Sequence, residues 1–237
     1  MLTADELKLE EQALGFAKVN KRDISKRLTD KSIYLSEEHP VSVFMAGSPG
    51  AGKTEASKSL IENMTDGKND ILRIDPDELR TEFPGYTGDN SYVFQRGVSV
   101  LVERIHDLAL KQSQSFLLDG TLSKYEKSKQ NIARSLKRGR DVQILYVYQD
   151  PLLAWEFVCA REAIEGRKIK LEDFINQYFG AREAVNKLKF EFGSSVKVDL
   201  LLKNNDNSNR IYKANIDKID NHVPEKYTAA DLEEHLK

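Results

Sequence analysis

Apolar positions along this chain follow two rhythms that take turns. Short apolar runs at Val41-Ser42-Val43-Phe44-Met45-Ala46, Ile71-Leu72-Arg73-Ile74, Phe116-Leu117-Leu118, Val142 to Tyr148 and Val196 to Leu202 read as buried strands. Between them the spacing turns helical over Glu55 to Met64, Ser91 to Gln112 and Lys124 to Arg138, the last stopping at Gly139. Pro76 is placed to open a helix, and Pro151 opens another. Leu171 to Phe192 reads as one long helix or a broken pair. The cluster Asn204-Asn205-Asp206-Asn207 reads as a turn before a sixth strand, Arg210 to Ile216, and a last helix starts near Thr228. Ahead of the first strand, Thr3 and Glu6 have capping-box spacing, and Leu7, Leu9, Leu14 and Phe16 supply apolar positions after them. A second short helix is expected over Asp23 to Leu28, and Pro40 introduces the first strand. The alternation predicts an α/β fold: a mostly parallel sheet covered by helices on both faces, with an N-terminal helical preface. The expected division is residues 1–38 for the preface and 39–237 for the sheet domain. Ligands of such sheets bind beyond the carboxyl ends of the strands.

Composition narrows the function. With 40% hydrophobic residues in 237, the chain can bury a sizeable core, and 31% charged residues point to a water-exposed surface. No apolar run approaches the roughly 18 residues of a membrane span. The acidic start Met1-Leu2-Thr3-Ala4-Asp5-Glu6 is unlike a secretory signal, and the single cysteine, Cys159, cannot form an internal disulfide. A cytoplasmic setting without a membrane partner is expected. A net charge of −2 argues against whole-surface attraction to nucleic acid. The basic residues Lys124, Lys127, Lys129, Arg134, Lys137, Arg138 and Arg140 read as a solvated helix face rather than an RNA stripe, since no aromatic residues are interleaved.

The decisive motif is Gly47-Ser48-Pro49-Gly50-Ala51-Gly52-Lys53-Thr54, which fits G-x-x-x-x-G-K-[S/T] between a strand and a helix. At ordinary glycine usage the pattern arises by chance in about 1% of chains this long, so it carries real information. Its glycines let backbone N–H groups turn inward on a phosphate, and the helix N-terminus behind them adds positive potential. Lys53 is expected to reach the β- and γ-phosphates, and the Thr54 hydroxyl to hold Mg²⁺. The motif predicts binding of a nucleoside triphosphate.

The other strand ends supply candidate chemistry. Strand two ends in Asp75-Pro76-Asp77-Glu78, where a carboxylate facing the phosphate loop can act as the base that takes a proton from an acceptor hydroxyl. Asp75 and Glu78 also have capping-box spacing, and periodicity does not choose between Asp75, Asp77 and neither. Strand three ends in Asp119-Gly120-Thr121, which reads as a metal-side acid, an acceptor site or a plain Asp-Gly turn. Arg161 and Arg167 flank a segment with Gly166 as a hinge. They fold over the triphosphate in one reading and are solvated helix residues in the other. Asn204 and Asn205 fit a base-contacting loop or a polar turn.

Taken together, M-A-G-S-P-G-A-G-K-T-E, I-D-P-D-E-L-R, L-L-D-G-T and A-R-E-x(4)-R resemble the zeta-toxin family of bacterial kinases, from about Pro40 to Phe192 and weakly on to Tyr212. The resemblance implies a P-loop kinase-like fold that uses ATP and Mg²⁺ to phosphorylate the 3′-hydroxyl of the amino-sugar in UDP-N-acetylglucosamine. That activity depletes a cell-wall precursor and is normally blocked by an antitoxin partner over the ATP site. It implies phosphate-loop roles for Lys53 and Thr54, and favours Asp77 over Asp75 as base. It also implies substrate-binding roles for Glu103, Asp119 and Thr121, and transfer-site roles for Arg161 and Arg167. The chain departs from the family where Asp119 replaces the usual Glu, and where Ser123, followed by Lys124, replaces an arginine. These departures leave the acceptor open to other nucleotide sugars, metabolites or a nucleic-acid end. A binding switch without an acceptor is the contrasting class, disfavoured by the array of Asp77, Glu103 and Asp119. The preface offers one more expectation, that residues 1–38 cover the site in cis, against the simpler one that they pack beside the sheet.

Overall fold

The computed structural model describes residues 2–64, 70–166, 168–206, 208–224 and 227–237. Six strands form one sheet: β1 Val41–Ala46, β2 Leu72–Ile74, β3 Phe116–Leu118, β4 Asp141–Tyr148, β5 Val196–Lys203 and β6 Asn209–Lys213. Their spatial order is β2-β3-β1-β4-β5-β6, with β1 to β5 parallel and β6 antiparallel to β5 at the edge. The helices among the described residues are α1 Ala4–Leu28, α2 Lys53–Met64, α3 Gln95–Lys111, α4 Tyr125–Leu136, α5 Pro151–Glu165, α6 Leu171–Phe192 and α7 Ala229–His235. The central strands are buried on both faces: Val43, Phe44, Met45 and Ala46 of β1 are fully buried, as are Ile144 and Val147 of β4. Each such aliphatic or aromatic side chain contributes about 1.5–3 kcal/mol by leaving water. On one face the larger core joins α1, α3 and α6; on the other a smaller cluster seats Ala56 of α2 on Val43, Met45, Leu117 and Leu145.

The preface differs from its two-helix expectation. One helix runs from Ala4 to Leu28, because no proline or glycine interrupts the stretch after Gly15. Its Thr3–Glu6 capping box is present. Ala13, Ala17 and Ile24 are buried in the larger core, Phe16 lies 5.6 Å from Phe83, and Arg96 of α3 reaches Glu10 at 3.0 Å. The helix therefore packs beside the sheet.

Two further boundaries shift. After β2 the chain makes only a 3₁₀ turn, Glu78–Glu82, and Phe83 is extended before Pro84, as a residue preceding proline prefers. A 3₁₀ turn, Ser91–Phe94, precedes α3. Leu171–Phe192 is one unbroken helix. Asn204 closes the β5–β6 hairpin: its N–H donates to the Ser208 carbonyl at 2.8 Å and its carbonyl accepts from Gln149, so the polar-turn reading holds there. Arg140 is no part of a solvated helix face. It is 4% exposed, immediately before β4.

Candidate active site

The phosphate loop leaves β1 and enters α2, and two of its glycines are forced by close backbone approach. Gly47 has φ 130° and a Cβ there would lie 2.2 Å from the Val147 carbonyl oxygen; at Gly50, with φ 73°, it would lie 2.1 Å from that of Ala154. The loop is thus pressed against the end of β4 and the first turn of α5. The Lys53 ammonium donates to the carbonyls of Gly47 and Ser48 at 3.1 and 2.6 Å, curling over the loop it serves. Thr54 follows in the first turn of α2, and Gly47 N–H donates to the Thr121 carbonyl at 3.2 Å, tying the loop to the end of β3.

Beyond β2, Asp75 and Asp77 differ in their commitments. Asp75 is 7% exposed; one oxygen accepts from the Asp77 N–H at 2.8 Å and the other from Arg73 at 2.5 Å. This is an Asx turn, and the expected Asp75–Glu78 capping box does not form, because Glu78 is held by Arg73 at 2.5 Å. Burial pushes the Asp75 carboxyl above its ordinary value, and the negative charges of Asp77 and Asp119 push the same way against Arg73. Asp77 has a side chain one-third exposed and paired with Arg80, whose guanidinium is pinned by Ser91 and Gln95. The more accessible carboxylate of the pair is Asp77.

Asp119, 6% exposed, accepts from Arg73 at 2.7 Å and from the Ser57 hydroxyl of α2 at 3.0 Å. Thr121 shares a hydrogen bond with Ser123 at 3.0 Å. Phosphate loop, Asp75–Asp77 turn and Asp119–Thr121 segment thus share one end of the sheet, as parallel topology requires. Arg161 is exposed near the end of α5, about one turn before Gly166, where an added Cβ would lie 2.8 Å from Asp89 in the loop after β2. That approach brings the end of α5 across to the far side of the crevice. Arg167 lies outside the described residues. Glu103, on α3, pairs with Lys127 and Arg134 of α4. Burial alone would raise its carboxyl, but those two cations outweigh it and hold the group below the usual range.

Sequence reasoning missed Arg73. Its signal was a lone charge inside the apolar run Ile71-Leu72-Arg73-Ile74, and a charge inside a buried strand needs partners.

The fold agrees with the comparisons. The family model for the zeta toxin matches residues 24–217. The chain belongs to the zeta toxin family. Its P-loop kinase-like sheet is shared by solved structures of low sequence identity. One, from the PezAT chromosomal toxin–antitoxin system of Streptococcus pneumoniae, has 19% identity and a TM-score of 0.63 over 100% of this chain and 89% of that one. The AvrRxo1-ORF1:ORF2 complex with ATP has 17% identity and a TM-score of 0.58 over 86% and 65%. The Pnkp1/Rnl/Hen1 RNA repair complex has 16% identity and a TM-score of 0.51 over 65% and 47%. At these identities the likeness is one of fold. No curated protein matches this zeta toxin family member by sequence. Among its described residues no helix is long and apolar enough to cross a membrane.

Proposed function

We propose that this protein is an ATP-dependent kinase that transfers the γ-phosphate to a sugar hydroxyl, the 3′-hydroxyl of the amino-sugar of UDP-N-acetylglucosamine, and so inhibits synthesis of a cell-wall precursor. The observation that carries the reading is Asp77: a partly exposed carboxylate at the same end of the sheet as the phosphate loop, on a turn whose other acid is spent on structure. A phosphate-binding switch needs no such base. In the proposed reaction the backbone of residues 47–54 cradles the triphosphate, and Lys53 leaves its carbonyl partners for the β- and γ-phosphates. Asp77 takes the hydroxyl proton as oxygen attacks the γ-phosphorus, and ADP leaves. Arg161, with Arg167, neutralises charge on the transferring group. The oxygen donors near the loop suit Mg²⁺, a hard cation that takes few protein ligands; the Thr54 hydroxyl would hold it, and its charge would offset that of the β- and γ-phosphates.

Thr121 remains an acceptor candidate through its place beside the loop. For Asp119 the contacts with Arg73 and Ser57 favour a second reading, in which the acceptor is another nucleotide sugar or hydroxyl-bearing metabolite. Glu103, paired on α3, would have to exchange Lys127 or Arg134 for a substrate. A separate antitoxin is the expected partner, since the apolar face of α1 is taken up by the core.

Purified protein incubated with ATP, Mg²⁺ and UDP-N-acetylglucosamine, followed by mass spectrometry, tests the proposal. A phosphorylated sugar nucleotide absent with Asp77→Asn is the expected result. ATP consumed without that product would reject this acceptor, and no ATP consumption would reject the kinase.

A further inference from the structure

We propose that Arg73 is a positioning residue for the transfer, its guanidinium locking the turn that carries Asp77 to the helix that follows the phosphate loop. The inference rests on the kinase reading above and adds to it a residue outside the phosphate loop, the acids and the transfer-site arginines.

The geometry is that of one fork with four grips. Arg73 Nε donates to Ser57 Oγ on α2 at 3.1 Å, and Nη1 to Glu78 at 2.5 Å. Nη2 donates to Asp75 at 2.5 Å and to Asp119 at 2.7 Å. Ser57 lies one helical turn after Thr54, and its single hydroxyl proton is shared between two acceptors, Asp119 at 3.0 Å and the Thr54 carbonyl at 2.9 Å. Asp75 in turn holds the Asp77 N–H. A path of hydrogen bonds therefore runs from α2 at Ser57 through Arg73 and Asp75 to the backbone N–H of Asp77. The side chain of Arg73 is only 11% exposed, so these contacts sit in a poorly solvated place where fixed geometry matters. Burial works against the charge of Arg73, but its bond to Asp119 and the charges of Asp75, Asp119 and Glu78 outweigh that and keep it protonated.

A guanidinium is suited to this task as no other side chain is, because its donors point in fixed, divergent directions. Without it, the buried Asp75 and Asp119 carboxylates face each other uncompensated. One must take up a proton or swing away, and the Asx turn behind Asp77 loses its anchor. The phosphate loop keeps its own contacts with β3, β4 and α5. Chemistry should therefore suffer while nucleotide binding does not.

The test compares full-length wild type, Arg73→Met and Arg73→Lys in steady-state turnover, with ATP affinity measured by calorimetric titration of Mg·ATP. Arg73→Met is expected to lower kcat about 100-fold, the scale of a misplaced reacting group, with ATP affinity and KM for ATP unchanged. Arg73→Lys, which keeps charge but not the fork, is expected to recover about half of that loss on a logarithmic scale. A wild-type kcat in Arg73→Met, or ATP affinity falling in step with kcat, overturns the proposal. If Arg73→Met does not fold, Arg73→Lys decides alone: about a tenfold loss in kcat supports positioning, and wild-type turnover refutes it. Should wild type transfer nothing to UDP-N-acetylglucosamine, the same variants are compared in ATP hydrolysis by water. Failure of the acceptor assignment is thus separable from failure of the Arg73 proposal.

Discussion

Two arginines sit at opposite ends of the same sheet, and their partners differ in kind. Arg73, at the carboxyl ends of the strands, is gripped by the acids Asp75, Glu78 and Asp119. Arg140, at the amino ends, has neutral partners: Nε donates to Ser42 Oγ at 2.7 Å, and Nη2 donates to the carbonyls of Val41 at 3.0 Å and Gln114 at 2.6 Å. It also lies over the Phe116 ring at 5.1 Å. Burial accordingly pulls Arg140 below its ordinary pKa, with Glu37 giving only partial relief, whereas the acids around Arg73 carry it above. The lesson concerns where a fold keeps charge. At the working end, opposite charges are stored against one another around a crevice. At the other end a cation staples strand ends that would leave carbonyls unpaired.

That contrast can be broken most sharply at Asp77, the proposed base. Asp77→Asn should lower turnover about 100- to 10,000-fold, the range of a lost general base, while the melting temperature stays near wild type. A large drop in melting temperature would make Asp77 part of the scaffold and erase the distinction between the ends. Gly47→Ala comes next. Its Cβ would meet the Val147 carbonyl at 2.2 Å within β4, which cannot yield as a flexible side chain would, so ATP turnover should fall about 100-fold. Unchanged turnover would show that the loop tolerates displacement.

Arg140→Met sharpens the other side. Leaving two carbonyls and a hydroxyl without their donor should cost about 2–4 kcal/mol in urea unfolding, with turnover per folded molecule unchanged. Lost turnover in a stable variant would join the two ends functionally. The smallest effect, taken per pH unit, concerns His106, on α3, edge-on to Phe44 and Phe116 with Arg134 at 2.5 Å from Nδ1. Burial, with Arg134 adding to it, pushes this imidazole down to about 3. The unfolded chain, near 6.5, then binds a proton that the fold refuses. Stability should fall as pH drops from 6.5 toward 3, by up to about 1.4 kcal/mol per pH unit. Urea midpoints of His106→Gln against wild type across that window check it: parallel curves would remove His106 as the cause.

Neighbouring residues were enough to read much of this molecule. The phosphate loop was legible because its glycines, lysine and threonine act through local backbone geometry, and the strand–helix alternation because burial imposes a period on the sequence. The turn at Asp75–Asp77 was legible as a place, although not as a division of labour. What the sequence left open was settled by partners far away in the chain. Arg73 and Asp119 are 46 residues apart, and only the β2–β3 pairing of the 2-3-1-4-5-6 order puts one beside the other. Lys127 and Arg134 draw Glu103 into the α3–α4 contact, and Arg140 leaves the predicted helix face because β4 begins at the next residue. A charge inside a protein takes its meaning from what neutralises it, and for these residues that was decided when the strands were laid side by side.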